Sequence, residues 1–276
     1  MLALLVAVLS LFQSPAVILA TTTSTQETGL LDSILPDFER RTGYRVQVVA
    51  VGSGQALALG RRGDADVVLS HAPEMEQAYV DSGFFTRRRR VMHNDFLIVG
   101  PHADPAGIRG MKDAAQALGR VAVRGGRAVF ISRGDASGTH QRELQLWRRA
   151  GVTLPSPRPP LGQGWYAESG QGMSATLQIA DQKAAYTLTD RATYLSWRDK
   201  VQLESLVEGD SALFNVYHVL DVNPRNAPRV NSAGGRALAD YLLTPETQER
   251  IGQFGMARFG RSLFIPNSGT LHRVPE

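Results

Sequence analysis

The chain has 276 residues, of which 43% are hydrophobic and 20% charged, and its formal net charge of +4 comes mostly from arginine. This composition excludes a disordered chain, and the length suits a globular protein of two domains. The absence of cysteine excludes disulfides, thiolate metal sites and a cysteine nucleophile. A basic balance suits an anionic ligand, but it suits nucleic acid or an acidic membrane surface equally well.

The first sixteen residues, MLALLVAVLSLFQSPA, form an apolar run without charged side chains that ends in a small-x-small pattern. This run predicts a signal peptide over residues 1–16 that is cleaved near Ala16, and therefore an exported protein. A short buried strand or helix is the alternative for the segment. Nothing later in the sequence approaches the ~18 uninterrupted apolar residues of a membrane span.

Strand-like and helix-like stretches alternate along the body of the chain, which predicts an α/β fold. The predicted strands are residues 17–20, 46–51, 65–69, 96–99, 128–131, 184–188 and 214–222. A helix is predicted after Ser24, with a capping box formed by Ser24 and Glu27 and a kink at Pro36. Further helices are predicted over residues 55–59, through 143–150, from residue 173, and as one segment through 238–251. Residues 155–160 form a stiff, proline-rich connection.

Two runs rich in hydroxyl groups lie where a predicted strand gives way to a predicted helix. They are TTTS, residues 21–24, and SRGDASGTH, residues 132–140. The start of a helix presents free backbone N–H groups and the positive end of the helix dipole, both of which favour an anion. Ser53 follows a third strand in the same way, after Gly52. These positions predict a small oxyanion held between two lobes, although single hydroxyls at such places are more often simple helix caps.

Arg133 distinguishes the second run, because its planar guanidinium can donate several hydrogen bonds to one oxyanion. Gly138 lies between Ser137 and Thr139 and allows a close approach of the backbone, while Asp135 can hold the guanidinium in place. The alternative is a capped turn with a surface Arg–Asp pair. An Arg-Gly-Asp adhesion signal is a third, weaker interpretation.

Other motifs in the chain are weaker. Two G-x-G-x-x-A matches, at residues 162–167 and 170–175, lack the acidic residue of a dinucleotide site, and a P-loop is absent. His140 and Glu143 are only two of the ligands that a metal site needs. No G-x-S-x-G elbow supports a serine nucleophile. The basic run Arg87–Arg90 has no interleaved aromatic residues, so it predicts a solvated face and no nucleic-acid site.

Five separated motifs together resemble one known family. The segments TTTSTQETGLLD, SRGDASGTH, ESGQGMSATL, AAYTLTDRATY and FGRSLFIP are similar to those of the substrate-binding proteins of bacterial tungstate ABC importers, a branch of the periplasmic oxyanion-binding proteins. The match extends from Ala20 to about Pro266. Ser174 stands where a glycine is common in that family.

The resemblance implies a two-lobed periplasmic binding protein of the type 2 clamshell form, each lobe a mixed sheet flanked by helices. Lobe I would comprise residues 17–99 and 214–276, and lobe II residues 100–213. The implied anion contacts are Thr22, Thr23, Ser24, Ser53, Arg133, Ser137, Gly138, Thr139 and Ser174. Closure of the lobes around the ligand would be the state that the importer recognises.

The expected function is therefore the capture of tungstate, with molybdate as a second ligand, and its delivery to an ABC permease. We expect a monomer that needs no cofactor, binds no nucleic acid and catalyses no reaction. Two alternatives remain at this point: a binder of phosphate, sulfate or another tetrahedral oxyanion, and an enzyme acting on phosphate esters. Arg133 and the hydroxyl groups would serve any of them.

Overall fold

The computed structural model describes residues 15–156, 159 and 163–267. Residues 1–14 of the predicted signal peptide, and residues 157, 158 and 160 of the proline-rich connection, lie outside these. The first strand begins at Ala16, so the predicted cleavage point falls at its start. The Ala16 carbonyl accepts a hydrogen bond of 2.8 Å from Asn231 Nδ2.

Strands and helices alternate through most of the described chain, as the sequence predicts. The strands are β1 (Ala16–Thr22), β2 (Arg45–Val51), β3 (Val67–Ser70), β4 (Phe85–Gly100), β5 (Phe130–Ser132), β6 (Tyr166–Glu168), β7 (Thr187–Asp190), β8 (Glu204–Val207), β9 (Phe214–Val222) and β10 (Ile265–Pro266). The α-helices are α1 (Thr23–Glu27), α2 (Leu30–Thr42), α3 (Ser53–Arg62), α4 (Pro73–Asp81), α5 (Ala114–Arg124), α6 (Gly138–Arg149), α7 (Met173–Gln182), α8 (Arg191–Trp197), α9 (Ser232–Tyr241), α10 (Pro245–Gln253) and α11 (Met256–Phe259). No helix in this part of the chain is long and apolar enough to cross a membrane.

The sheet has the strand order β10-β4-β9-β3-β1-β2. Strands β2 and β3 run parallel to β1 on either side of it, whereas β9 is antiparallel to both β3 and β4. The long strand β4 pairs with β9 up to Asp95, and from Phe96 onward it pairs with β7 and β8. The predicted strand over residues 96–99 is therefore the end of a longer strand that connects the two lobes. The lobe boundaries at 99/100 and 213/214 stay a prediction.

Separate apolar clusters form the cores on the two sides of this crossing. In lobe I, the five apolar residues predicted to share one face of a helix lie on α2, and all five are buried: Leu30, Leu31, Ile34, Leu35 and Phe38. In lobe II, the Phe130 ring packs edge-on against Trp147 with ring centroids 5.1 Å apart. Each lobe thus has an apolar core of its own. Burying one large apolar side chain in such a core contributes roughly 1.5–3 kcal/mol to the free energy of unfolding.

Two helix predictions are wrong in their boundaries. The segment after Ser24 forms two helices, because Gly29 takes a left-handed conformation with φ of 79° between α1 and α2. Thr22 is the cap of α1, so the predicted capping box does not form, and α2 continues past Pro36. The segment through 238–251 also forms two helices, since Thr244 caps α10 and Pro245 begins it.

The basic run Arg87–Arg90 belongs to β4 and is not a freely solvated face. Arg88 Nε lies 2.9 Å from Glu76 Oε2, a fully buried carboxylate. Arg87 and Arg89 both pair with Asp221 on β9, at 2.8 and 2.9 Å. The prediction of a solvated face is therefore wrong for Arg88 and Arg89, which are half-buried and paired, whereas Arg87 is exposed although it too pairs with Asp221.

Candidate functional site

The candidate site lies at the carboxyl ends of β1, β2 and β3 in lobe I. Because these three strands are parallel, their carboxyl ends lie along one edge of the sheet. Thr22 ends β1, Ser53 begins α3 just after β2, and His71 directly follows β3. The edge therefore brings together the two hydroxyl positions that the sequence analysis placed after separate strands.

Thr22 is the centre of a small hydroxyl cluster on the lobe I side. Its Oγ1 accepts a hydrogen bond of 3.3 Å from the Thr25 amide and lies 2.6 Å from Thr25 Oγ1. The same oxygen lies 3.2 Å from both Ser24 Oγ and His71 Nε2. Thr23 is half-buried and begins α1. Thr22 thus has several partners within the protein, and it caps α1 as well as lying at the site.

The neighbours of His71 determine its tautomer. Asn215 donates through Nδ2 to Asn94 Oδ1 at 2.8 Å and to the Tyr217 hydroxyl at 3.0 Å, so its carbonyl oxygen faces His71 Nδ1, 2.9 Å away. This arrangement assigns the proton to Nδ1. Burial lowers the pKa of His71 to about 4. A neutral ring therefore leaves Nε2 as the acceptor for the Thr22 hydroxyl.

Arg133 supplies the charge on the lobe II side. Its side chain is only 3% exposed, although it follows directly after β5. One guanidinium nitrogen, Nη2, pairs with Asp135, and Nη1 lies 3.5 Å from Thr139 Oγ1. Arg133 Nε is buried and has no hydrogen-bond partner among the described residues. The guanidinium is thus held in place while one of its donors remains unused.

The turn after Arg133 leads directly into the amino end of α6. Asp135 Oδ1 accepts from the Ser137 amide at 3.1 Å, and Ser137 Oγ caps the helix by accepting from the His140 amide at 3.3 Å. Gly138 and Thr139, the first two residues of α6, are buried. The structure therefore gathers Arg133, Ser137, Gly138 and Thr139 into one turn, as the sequence predicts.

Three contacts join the lobes across the site. The Gly138 amide donates to Ser53 Oγ at 3.2 Å. A Cβ atom on Gly138 would lie 2.7 Å from His71 Nδ1, so α6 begins in direct contact with lobe I. At the rim, Ser174 Oγ donates to Glu27 Oε2 at 3.0 Å. Gly138 thus meets Ser53 and His71 across the lobes, and Ser174 meets Glu27, while the contacts of the nine predicted residues with an anion stay predictions.

The sequence analysis missed several residues of this cleft. His71, Asn215 and Ser70 were not predicted, whereas Thr21 lies in the predicted run 21–24. Two buried hydroxyls at neighbouring strand ends, Thr21 Oγ1 and Ser70 Oγ, have no hydrogen-bond partner within the described ranges. Ser70 carried a usable signal, since it is a polar residue directly after a buried strand that ends at the predicted edge. His71 had no such signal, because its partners lie far away in the sequence.

The metal hypothesis for His140 and Glu143 finds no support in the geometry. Within residues 15–156, 159 and 163–267, no group of three or more His, Cys, Asp or Glu side chains is arranged to hold a metal ion. His140 Nδ1 accepts from the Ala136 amide at 3.0 Å. Glu143 points into the core of lobe II, where protein donors surround it.

The neutral state of His71 predicts a pH dependence of stability. Because the pKa of His71 is about 4 in the folded protein and the ordinary value for histidine is 6.5, the unfolded chain binds more protons between these values. The stabilisation is complete above pH 6.5 and is lost as the pH falls towards 4. In the unmodified protein, we expect the protonation of His71 to lower the free energy of unfolding by roughly 3 kcal/mol between pH 6.5 and pH 4. This part of the fall should be absent in His71→Asn. Denaturant titration at several pH values without ligand measures the difference.

The exposed His102, whose side chain is 86% accessible, provides the matched control. His102→Asn should lose stability with falling pH in parallel with the unmodified protein. Parallel curves for His71→Asn and the unmodified protein would show that His71 is not the group responsible.

Comparison with known proteins shows the family to which the chain belongs. A model of the PBP superfamily domain matches residues 13–246. The tungstate-binding protein TupA of Peptoclostridium acidaminophilum is 43% identical over 255 residues, covering 92% of this chain and 86% of that protein. A solved structure of the tungstate-binding protein TupA from Desulfovibrio alaskensis G20 is 44% identical and superposes with a TM-score of 0.77, covering 92% of this chain and 100% of that one.

A second solved structure, described as the tungstate ABC transporter from Geobacter sulfurreducens, is 47% identical with a TM-score of 0.75 and covers 87% of this chain and 98% of that one. The two-lobed architecture thus agrees with solved structures that this chain covers almost completely. The chain belongs to the PBP superfamily, in the family of periplasmic binding proteins that contains these tungstate-binding relatives.

Proposed function

We propose that this protein captures tungstate in the cleft between its lobes and delivers it to the permease of an ABC importer. The observation that carries the proposal is Arg133, a guanidinium 3% exposed whose Nε lacks a protein partner in the described chain. A buried donor left without an acceptor costs about 1–3 kcal/mol, and a bound oxyanion would supply that acceptor. The relatives named for tungstate support this choice of anion.

The chemistry of the cleft suits a fully ionised tetrahedral anion. Hydroxyl groups and the amino ends of α3 and α6 offer donors from both lobes, and Arg133 adds a positive charge. Molybdate has the same charge and shape as tungstate, so we propose it as the second ligand. Phosphate, sulfate and phosphate esters are the less favoured alternatives, because three relatives at 43, 44 and 47% identity carry tungstate in their names.

The setting of this function is also part of the proposal. We infer an exported protein whose leader, residues 1–16, is removed near Ala16, and which acts as a monomer in the periplasm. The permease would recognise the closed state, in which Gly138 meets Ser53 across the cleft. The function requires no cofactor, no nucleic acid and no catalysed reaction.

Thermal unfolding in the presence of single anions tests the proposal. A ligand at ~100 times its dissociation constant stabilises the folded state by about 2.7 kcal/mol. For a protein of this size, that corresponds to a rise in Tm of about 5–10 °C. We expect this rise with tungstate and molybdate, and a smaller one or none with equal concentrations of sulfate, phosphate and ATP. A rise with ATP or a phosphate ester alone would exclude the transport function.

A further inference from the structure

Glu143 is a buried carboxylate that the proposed function does not use. It lies on α6 and is only 1% exposed. Three side chains donate to it: Ser132 to Oε2 at 2.6 Å, and the Trp147 indole and the Tyr166 hydroxyl to Oε1 at 3.0 and 2.9 Å. Burial raises the pKa of Glu143 to about 7, against the effect of these three donors, and Glu168 raises it further.

Ser132 connects this carboxylate to the turn that carries Arg133. A serine hydroxyl has one proton, and here it is donated to Glu143. The Ser132 oxygen in turn accepts from the Gly134 amide at 3.1 Å. Arg133 lies between these two residues, so the hydrogen bond from Gly134 to Ser132 spans its backbone.

The other side of the same turn is held by the loop after β6. The Arg133 carbonyl accepts from the Gly170 amide at 2.9 Å and from Ser169 Oγ at 3.3 Å. Gly134 has φ of 63°, and a Cβ atom there would lie 2.5 Å from Glu168 Cβ. The loop after β6 therefore limits the conformation of the turn on one side. On the side of α6, Glu143 limits it through Ser132.

Stability alone is a poor explanation for an ionisable group at this position. Taking a carboxylate out of water is costly even when it is hydrogen-bonded, and an apolar side chain packed against Trp147 and Tyr166 would avoid that cost. We propose that Glu143 is a positioning residue for Arg133, which fixes the Ser132 hydroxyl and so holds the guanidinium in the direction needed to meet the anion. This inference rests on the proposed role of Arg133 in oxyanion binding.

The variant Glu143→Gln reverses one hydrogen bond and preserves the other two. Its amide oxygen can still accept from Trp147 and Tyr166, but its NH₂ group faces Ser132 and donates where the carboxylate accepted. We expect the Kd for tungstate, measured by titration calorimetry, to rise about tenfold. Ser132→Ala removes the connection itself and should raise Kd by a similar factor. The double variant should be no more than about twofold weaker than the weaker single variant.

Two controls separate positioning from a general loss of structure. Trp147→Phe removes one donor to the same carboxylate without touching Ser132, and its Kd should stay within about twofold of the unmodified value. In an Arg133→Lys background, Glu143→Gln should add less than about twofold, because the flexible lysine no longer depends on the turn. A full tenfold loss in that background would show a structural role and overturn the proposal.

Hydrogen exchange measured without ligand tests the positioning role of Glu143 whichever anion the protein binds. In Glu143→Gln the Gly134 amide should exchange faster than in the unmodified protein, while amides in the middle of α6 keep their protection. Unchanged protection of the Gly134 amide would overturn the positioning role even if tungstate binds. If the unmodified protein fails to bind tungstate but the Gly134 amide is deprotected in the variant, the proposed function fails and the positioning of the turn stands.

Discussion

Gly138→Ala is expected to weaken tungstate binding by about 100-fold while leaving the fold intact. A Cβ atom at this position would lie 2.7 Å from His71 Nδ1 and 2.8 Å from the His71 carbonyl oxygen. Neither atom can easily move, since the imidazole is tied to Asn215 and Thr22 on its two nitrogens. The added methyl group would therefore keep the lobes apart at the point where the Gly138 amide reaches Ser53.

The same substitution should not harm the protein without ligand. Alanine is a better helix former than glycine, and the clash involves only the facing lobe. The melting temperature without tungstate should be unchanged or higher, while the shift caused by tungstate shrinks. Gly119→Ala on α5 is the matched control, since a Cβ there would lie 3.8 Å from Ala150 Cβ, an ordinary contact. A Kd for Gly138→Ala within a factor of about three of the control would exclude closure at this contact.

Local periodicity explains which parts of the fold the sequence predicts. The run FNVYHVLDV forms β9 over the predicted residues, and the apolar face of α2 is buried as its spacing indicates. The helix boundary at Thr244 and Pro245 was missed because the apolar spacing continues across it, although a threonine before a proline is itself a signal for a helix start.

The site is predictable to the extent that it depends on a rule about strand ends. Thr22, Ser53 and the turn from Arg133 to Thr139 were found because each follows a strand, and parallel strands present their carboxyl ends at one edge. His71 was not predicted, because its role depends on Asn215, which lies 144 positions away along the chain. Contacts between residues so far apart in the sequence depend on how whole helices and strands pack, so no local sequence pattern predicts them.

The same reason accounts for the basic run and for Ser174. Arg89 was predicted to be solvated because its partner Asp221 lies 132 positions later, on β9. The ion-pair partner of Arg88, Glu76, lies only 12 positions earlier, but no local pattern indicates that the two side chains meet. The family resemblance implied Ser174 as an anion contact, and in the structure its hydroxyl donates to Glu27, 147 positions away. Its contact with the anion stays a prediction, because the Ser174 hydroxyl proton is already donated to Glu27.

Arg133→Ala is expected to have the largest effect of any single substitution, an increase in the tungstate Kd of about a thousandfold. The side chain is 3% exposed, so in the bound state its charge acts on the anion with little screening by water. The loss also leaves Asp135, its ion-pair partner, as an unbalanced negative charge beside the cleft.

A graded series identifies which property of Arg133 the anion needs. Arg133→Lys keeps the charge but loses the planar set of donors, including Nε, so its Kd should fall between those of the unmodified protein and the alanine variant. Arg62→Ala is the control for net charge, because Arg62 is 53% exposed and its ion pair is with the half-exposed Asp64. That variant should bind tungstate normally. If Arg133→Ala binds as tightly as Arg62→Ala, the anion is held by hydroxyls and helix amides without the guanidinium, and the unused Nε donor has another purpose.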